Sequence, residues 1–194
     1  MIIALFPNEK KKQSFDIASQ IKTFLEERSV RVVAEDNKAA KIGAAPLSSV
    51  KPHEISFMIC MGGDGTLLRI THHFHHLNAP ILGINLGHLG FIAAGGPILS
   101  PTLDAIVITP ICPHTISNRP IVLTADRHIE IEYLSDYPPI DVRSDGLDTC
   151  TLSKKETLKI QRSSRIFKLV KFHRHEYFST LRTKLGWSGS HPVQ

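Results

Sequence analysis

Short apolar runs and amphipathic stretches alternate along the first half of the chain. Ile2 to Phe6 reads as a first strand. Ser14 to Arg28 places Ile17, Ala18, Ile21, Phe24 and Leu25 at helical spacing, which predicts an amphipathic helix with those side chains on one face. Val30 to Ala34 predicts a second strand. Residues 36 to 52 carry Asn37, Gly43, Pro46 and Pro52 as breakers and read as loop. A third strand is expected over 55 to 60. A glycine loop follows it, then a helix from 66 to 77, then a strand over Ile81 to Asn85. Strands alternating with helices predict a parallel α/β sheet.

From Leu103 onward the texture changes. The segments 105–109, 120–124, 128–134, 140–143, 157–161 and 167–172 are short β-prone runs separated by turn signals, among them Pro138-Pro139 and Asp145-Gly146. Ile129, Ile131 and Tyr133 alternate with Glu130 and Glu132, the pattern of a half-buried strand. Asp145-Gly146 is read as a hairpin turn with no chemistry of its own. This half is expected to be an antiparallel β domain, closed by a helix over Glu176 to Leu185.

Composition narrows the class. At 194 residues, 42% hydrophobic and 21% charged, the chain can bury a core and is not a disorder candidate. The net charge of +5 is scattered, with one short cluster at Lys10-Lys11-Lys12. No nucleic-acid-binding signature accompanies it, so anionic small molecules are the expected partners and nucleic acid is not. Three cysteines, Cys60, Cys112 and Cys150, form no Cys-x-x-Cys pair. That argues for a reducing compartment, and the cytoplasm is the expected location. Cys60 and Cys112 are read as packing residues. The apolar stretch from Ala79 to Pro101 holds Asn85, His88, five glycines and Pro97, which excludes it as a membrane helix.

The candidate chemistry lies at Gly62-Gly63-Asp64-Gly65-Thr66, directly after the apolar run Ile55 to Met61. Glycines let backbone amides approach a ligand. Thr66 is placed to cap the following helix, whose positive end suits phosphate. A carboxylate amid such a site binds a sugar hydroxyl, holds a metal or acts as a base, and each points to phosphoryl transfer. A plain strand-to-helix turn is the competing reading.

Beyond the loop, the chain resembles the NAD kinase family. The matching blocks are Gly62 to Arg69, Gly83 to Phe91, Gly95 to Ile98, Thr109 to His114 with Arg119 to Leu123, and Lys184 to Trp187. The first block alone is shared with phosphofructokinases and lipid kinases such as diacylglycerol kinase. The resemblance implies a Rossmann-like, phosphofructokinase-like α/β domain over 1–93 and a β-sandwich substrate and oligomerisation domain over 94–194. It implies transfer of a phosphoryl group from ATP or polyphosphate to the adenosine ribose 2′-hydroxyl of NAD, with a divalent cation, magnesium, on the donor phosphates, in a homo-oligomer. On that resemblance Asp64 is the proton acceptor, and Gly62, Gly63 and Gly65 turn amides to the phosphates. Arg69 lies near the dinucleotide or is a solvated helix charge. Phe91 lines the NAD pocket or fills core, and His114 is structural.

One departure is large. The family carries a long segment, with an Asn-Glu pair and a Gly-Ser-Thr-Ala-Tyr motif, between the Gly-Phe and Gly-Gly-Pro blocks. Here Phe91-Ile92-Ala93 runs into Ala94-Gly95-Gly96-Pro97, and neither motif lies between the two blocks. The sandwich is therefore expected to be incomplete and the chain to be inactive or very weak. A non-catalytic remnant and a lipid kinase are the alternatives. The run His72-His73-Phe74-His75-His76 has histidines at helical spacing but no His-Glu-x-x-His pattern, so it is read as complementing a helix dipole and no metal site is expected.

Overall fold

A computed structural model of the chain describes residues 1–86, 96–112, 119–170, 177–185 and 187. Two compact units emerge: Met1–Gly90 with Ile166–His173, and Phe91–Arg165 with Arg174–Gln194.

In the first unit the apolar runs become β1 (Ile2–Pro7), β2 (Arg31–Ala34), β3 (Ala45–Pro46), β4 (Ile55–Gly62) and β5 (Ile81–Asn85). Adjacent strands pair in parallel. Helices α1 (Lys12–Glu26) and α2 (Asp36–Ile42) cover one face, and α3 (Asp64–His73) the other. Period-two geometry explains why β1 is apolar throughout. Ile3 and Leu5 join Val32, Ala34, Ile59 and Met61 beneath α1 and α2, whereas Ala4 and Phe6 join Val33, Met58 and Cys60 beneath α3. Leu5 and Phe6 are fully buried, each worth about 1.5–3 kcal/mol of transfer free energy.

Residues 36–52 are not one loop. Ala39 and Ala40 favour helix, and Gly43 supplies its left-handed stop at φ 66°. The Gly43 amide donates to the Ala40 carbonyl at 3.3 Å and that of Ala44 to Ala39 at 3.0 Å, a Schellman closure of α2. Phe24, assigned by periodicity to the inner face of α1, is instead 54% exposed, with the Arg28 guanidinium 3.6 Å above its ring. Ser14 is buried at the start of α1, its hydroxyl accepting from the Asn8 amide at 2.7 Å and donating to the Met61 carbonyl at 3.1 Å.

In the second unit the described strands form three antiparallel two-stranded ribbons. These pair β6 (Ala105–Ile108) with β7 (Ile121–Thr124), β8 (Ile129–Glu132) with β11 (Thr157–Ile160), and β9 (Ile140–Ser144) with β10 (Asp148–Leu152). Strand β10, Asp-Thr-Cys-Thr-Leu, has no apolar run and escapes sequence reading. It is set by its hairpin, in which Asp145 and Gly146 take φ 51° and 70° and the Leu147 amide donates to the Ser144 carbonyl at 2.9 Å. The alternation along β8 finds the strand but not a covered face: Ile129 is buried, while Ile131 is 41% exposed. Ile121 and Val122, on opposite faces of β7, are both exposed. Two-stranded ribbons are marginal alone and leave open edges. Helix α4 (Tyr177–Lys184) buries Leu181, and the Tyr177 hydroxyl donates to the Leu99 carbonyl at 2.9 Å.

The segment 167–172 reads from sequence as part of the β half. Its residues Leu169–Val170 form β12, which pairs in parallel with β5 at Ile81 and Leu82. The order of the first-unit sheet is thus β12-β5-β4-β1-β2-β3. The parallel edge of β5 accepts the strand because the Ile81 amide needs an acceptor, and it finds the Lys168 carbonyl at 2.9 Å. Among the described residues no helix is long and apolar enough to cross a membrane.

Candidate active site

The sheet order reverses at β1. From β1 the chain moves outward through α1 to β2 and β3, then returns to lay β4 on β1's other side. Crevices beyond the carboxyl ends of strands at such a switch bind ligands. The turn after β1 and the glycine loop after β4 flank this one.

Helix α3 begins earlier than the sequence suggests. Gly63 is its N-cap (φ −105°, ψ −168°), so Asp64, Gly65 and Thr66 form the first turn. Thr66 is therefore not the cap. Its amide and that of Leu67 donate to the Gly63 carbonyl at 3.0 and 3.2 Å, and its buried hydroxyl accepts from Asn8 Nδ2 at 2.8 Å. The amides opening the helix have no carbonyl one turn back, which leaves them and the dipole's positive end facing the crevice.

The glycines serve different purposes. Gly62, Gly63 and Gly65 do not use positive φ, so conformational freedom is not what they supply. A Cβ on Gly62 would lie 2.2 Å from Thr66 Oγ1 and 2.7 Å from Thr66 Cβ, whereas one on Gly63 or Gly65 would meet open space. Gly62 is thus a packing requirement, and Gly63 and Gly65 keep the backbone bare on the crevice side. Gly62→Ala is expected to cost about 1–3 kcal/mol by overpacking, and Gly63→Ala less than about 0.5 kcal/mol. Urea unfolding followed by circular dichroism measures both, and equal costs would refute the steric account.

Asp64 is exposed, with no hydrogen-bond or ion-pair partner among the described residues. Arg69, one turn further on, is partnered. Its Nη1 and Nη2 donate to the two oxygens of Glu35 at 2.6 and 2.8 Å. Glu35 follows β2, is buried, and also pairs with buried Lys38. The guanidinium is partly buried and paired, not a solvated helix charge.

Burial pushes the Glu35 carboxyl up, but hydrogen bonds from Arg69 and Lys38 and their charges outweigh this and hold it below its usual 4.5. The same Glu35 hydrogen bonds raise the Arg69 pKa against its burial. Since Glu35 is more acidic folded than unfolded, its contribution is fully present above pH 4.5 and is lost as pH falls through the lowered folded value. Glu35→Gln is expected to cost about 2 kcal/mol or more at neutral pH. It should also flatten the acid limb of the stability curve, and thermal melts from pH 3 to 7 would read both.

Two neighbours of the loop carry no sequence motif. Asn8 ties the β1 turn to α3 through Thr66, and its Oδ1 accepts from the Lys10 amide at 2.9 Å. Lys11 donates through Nζ to the Leu86 carbonyl, and the Leu86 amide donates to the Gly62 carbonyl at 3.0 Å. An Asn just past an apolar strand signals a turn. Nothing in spacing signals that this turn touches a helix 58 residues away. Phe91, His114 and the Ala93–Ala94 junction lie outside the described residues.

The cysteines divide by environment. Cys60 is buried beneath α3, and burial raises its thiol to about 11. Cys112, expected to pack, is exposed at φ 50°, and Cys150 is exposed on β10. Among the histidines, His75 Nδ1 lies 2.7 Å from the His72 carbonyl, while His72 and His73 occupy the last turn of α3. Among the described residues no three His, Cys, Asp or Glu side chains group to hold a metal.

Family models match most of the chain. The ATP-NAD kinase N-terminal domain matches residues 3–98 and the ATP-NAD kinase C-terminal domain residues 86–172. An NAD kinase of Protochlamydia amoebophila (strain UWE25) is 37% identical over 275 positions, spanning 97% of this chain and 99% of the relative. An NAD kinase of Chlorobium limicola is 25% identical over 283 positions, spanning 98% of each. Against the first relative, at least 81 of the 275 positions face no residue of this 194-residue chain. The crystal structure of yeast NADH kinase complexed with NADH superposes with a TM-score of 0.72 at 15% identity, covering 100% of this chain and 89% of that one. That likeness establishes the two-part fold.

Proposed function

This chain belongs to the NAD kinase family, and from that membership we propose that its glycine loop serves phosphoryl transfer from ATP or polyphosphate to the 2′-hydroxyl of the adenosine ribose of NAD, giving NADP. The observation that carries this reading is Asp64, exposed and without a partner among the described residues, in the first turn of α3, at the sheet's switch point, between two bare glycines. In the proposed step the ribose oxygen attacks the terminal phosphorus and Asp64 accepts the hydroxyl proton. The bond from phosphorus to the donor's bridging oxygen breaks, and the shortened donor leaves with that electron pair. The open amides beside Gly63 and Gly65 offset charge on the phosphates, and the Lys11 ammonium adds to the positive field. Arg69, bound to Glu35, acts by holding α3 against β2. Phe91 lines the NAD pocket on family grounds. A divalent cation, magnesium, is carried by the donor phosphates and neutralises their charge when bound. The working location is the cytoplasm and the working form a homo-oligomer.

A second reading, a non-catalytic remnant that pairs with intact subunits, is favoured by the 81 or more unmatched positions. Titration calorimetry with NAD, with diacylglycerol micelles as control, tests the acceptor. Weak but saturable NAD binding with none to the lipid is expected. Preference for the lipid would replace the reading by that of a lipid kinase.

A further inference from the structure

A cavity of about 570 Å³ opens in the first unit, apart from the glycine loop. It lies between Glu35 to Asn37 at the carboxyl end of β2, the connection Leu47 to Pro52, and Phe74 to Leu77 after α3. Its volume falls in the range of small-molecule sites, about 300–1,000 Å³. The walls are of two kinds. Leu47, Val50, Phe74 and Leu77 are apolar and belong to or pack on the core beneath α3. Phe74 is held in place by fully buried Phe6, with ring centroids 4.9 Å apart. This is an aromatic surface on a rigid support, suited to a flat ring.

The polar wall presents one available carboxylate. Glu35 is consumed by Arg69 and Lys38. Asp36 is exposed yet oriented, because its Oδ1 accepts the Ser48 amide at 2.9 Å. Hydrogen bonds from Ser48 keep this carboxyl below its usual range, so it is ionised at neutral pH. An acidic residue just past the second strand of a doubly wound sheet stands where nucleotide-binding folds take ribose hydroxyls. The cavity also adjoins the glycine helix. Arg69 rises from α3, pairs with Glu35 in the cavity wall, and has its guanidinium carbon 5.9 Å from the Phe74 centroid.

We propose that this cavity holds the nucleoside of the phosphoryl donor, an adenosine-type base against Phe74 with its ribose hydroxyls donating to Asp36. The identification of the nucleoside with the donor rests on the phosphoryl-transfer reading above; the site itself rests on the cavity alone. It implies that this chain favours a nucleoside triphosphate over inorganic polyphosphate.

The test uses two probes on the full chain. Free adenosine carries no phosphate and reports the cavity, while tripolyphosphate reports the glycine loop. Adenosine is expected to bind saturably and to shift the amide resonances of Asn37, Phe74 and Leu77. Asp36→Asn, which keeps the acceptor for Ser48, should weaken adenosine about tenfold through loss of the charged hydrogen bond. Val50→Trp, which fills the cavity, should abolish it. Neither should alter tripolyphosphate affinity by more than about twofold, and that unchanged affinity also certifies the fold. Failure of adenosine to saturate, or full adenosine affinity in either variant, overturns the proposal. Tripolyphosphate failing while adenosine behaves as expected would leave the cavity standing and remove the glycine-loop reading instead.

Discussion

Incubated with NAD, magnesium and ATP or polyphosphate, the purified 194-residue chain is expected to form NADP at least about 10³-fold more slowly than an intact relative. The glycine loop is formed, so the shortfall does not come from the loop. It comes from the acceptor side. Against the 37% identical relative, at least 81 aligned positions have no residue here, and between Phe91 and Gly95 the family's Asn-Glu pair and Gly-Ser-Thr-Ala-Tyr motif are absent. Each lost acceptor contact costs about 1 kcal/mol or more. Every 1.4 kcal/mol is about tenfold in affinity. Misplacing the reacting hydroxyl by about 1 Å costs a further factor of about 10². Grafting the relative's segment between Ala93 and Ala94 should recover most of the loss. Turnover of the ungrafted chain within tenfold of the relative would show the segment to be dispensable, and the proposed acceptor site would be wrong.

In that grafted form, Asp64→Asn should lower turnover by about 10² or more with the fold unchanged, the usual scale of lost general-base catalysis. The substitution is nearly isosteric, and Asp64 has no partner among the described residues whose loss could disturb packing. A carboxylate with no structural duty in the first turn of α3 is free to meet a substrate hydroxyl. If Asp64 acts only in the transition state, turnover falls while KM for NAD holds. If it only binds ribose, KM rises and turnover holds. Turnover within threefold of the parent would remove Asp64 from the role of base.

The local pattern along the chain was sufficient for some elements because it carries their physics. A strand covered on both faces must be apolar throughout, so β1 and β4 are legible, and with them the parallel sheet. Three glycines and an aspartate between β4 and an apolar-periodic stretch locate the loop at a strand's carboxyl end. The turn at Asp145-Gly146 is legible because few residue pairs take two positive φ angles at low cost.

Long-range contacts decided the rest. No spacing reveals that Arg69 pairs with Glu35, 34 residues away, or that Asn8 reaches Thr66. Gly62 invites a reading as a flexible hinge, yet what requires it is the Thr66 side chain lying where its Cβ would be. Leu169–Val170 shares its β-prone composition with the ribbons around it, and joins the parallel sheet because the edge of β5 offers it unpaired backbone groups. Ile131 alternates as a buried residue would and stays exposed, since burial depends on a second layer that this strand cannot encode. Periodicity reports what a segment can bury. Which partner buries it is a property of the assembled chain.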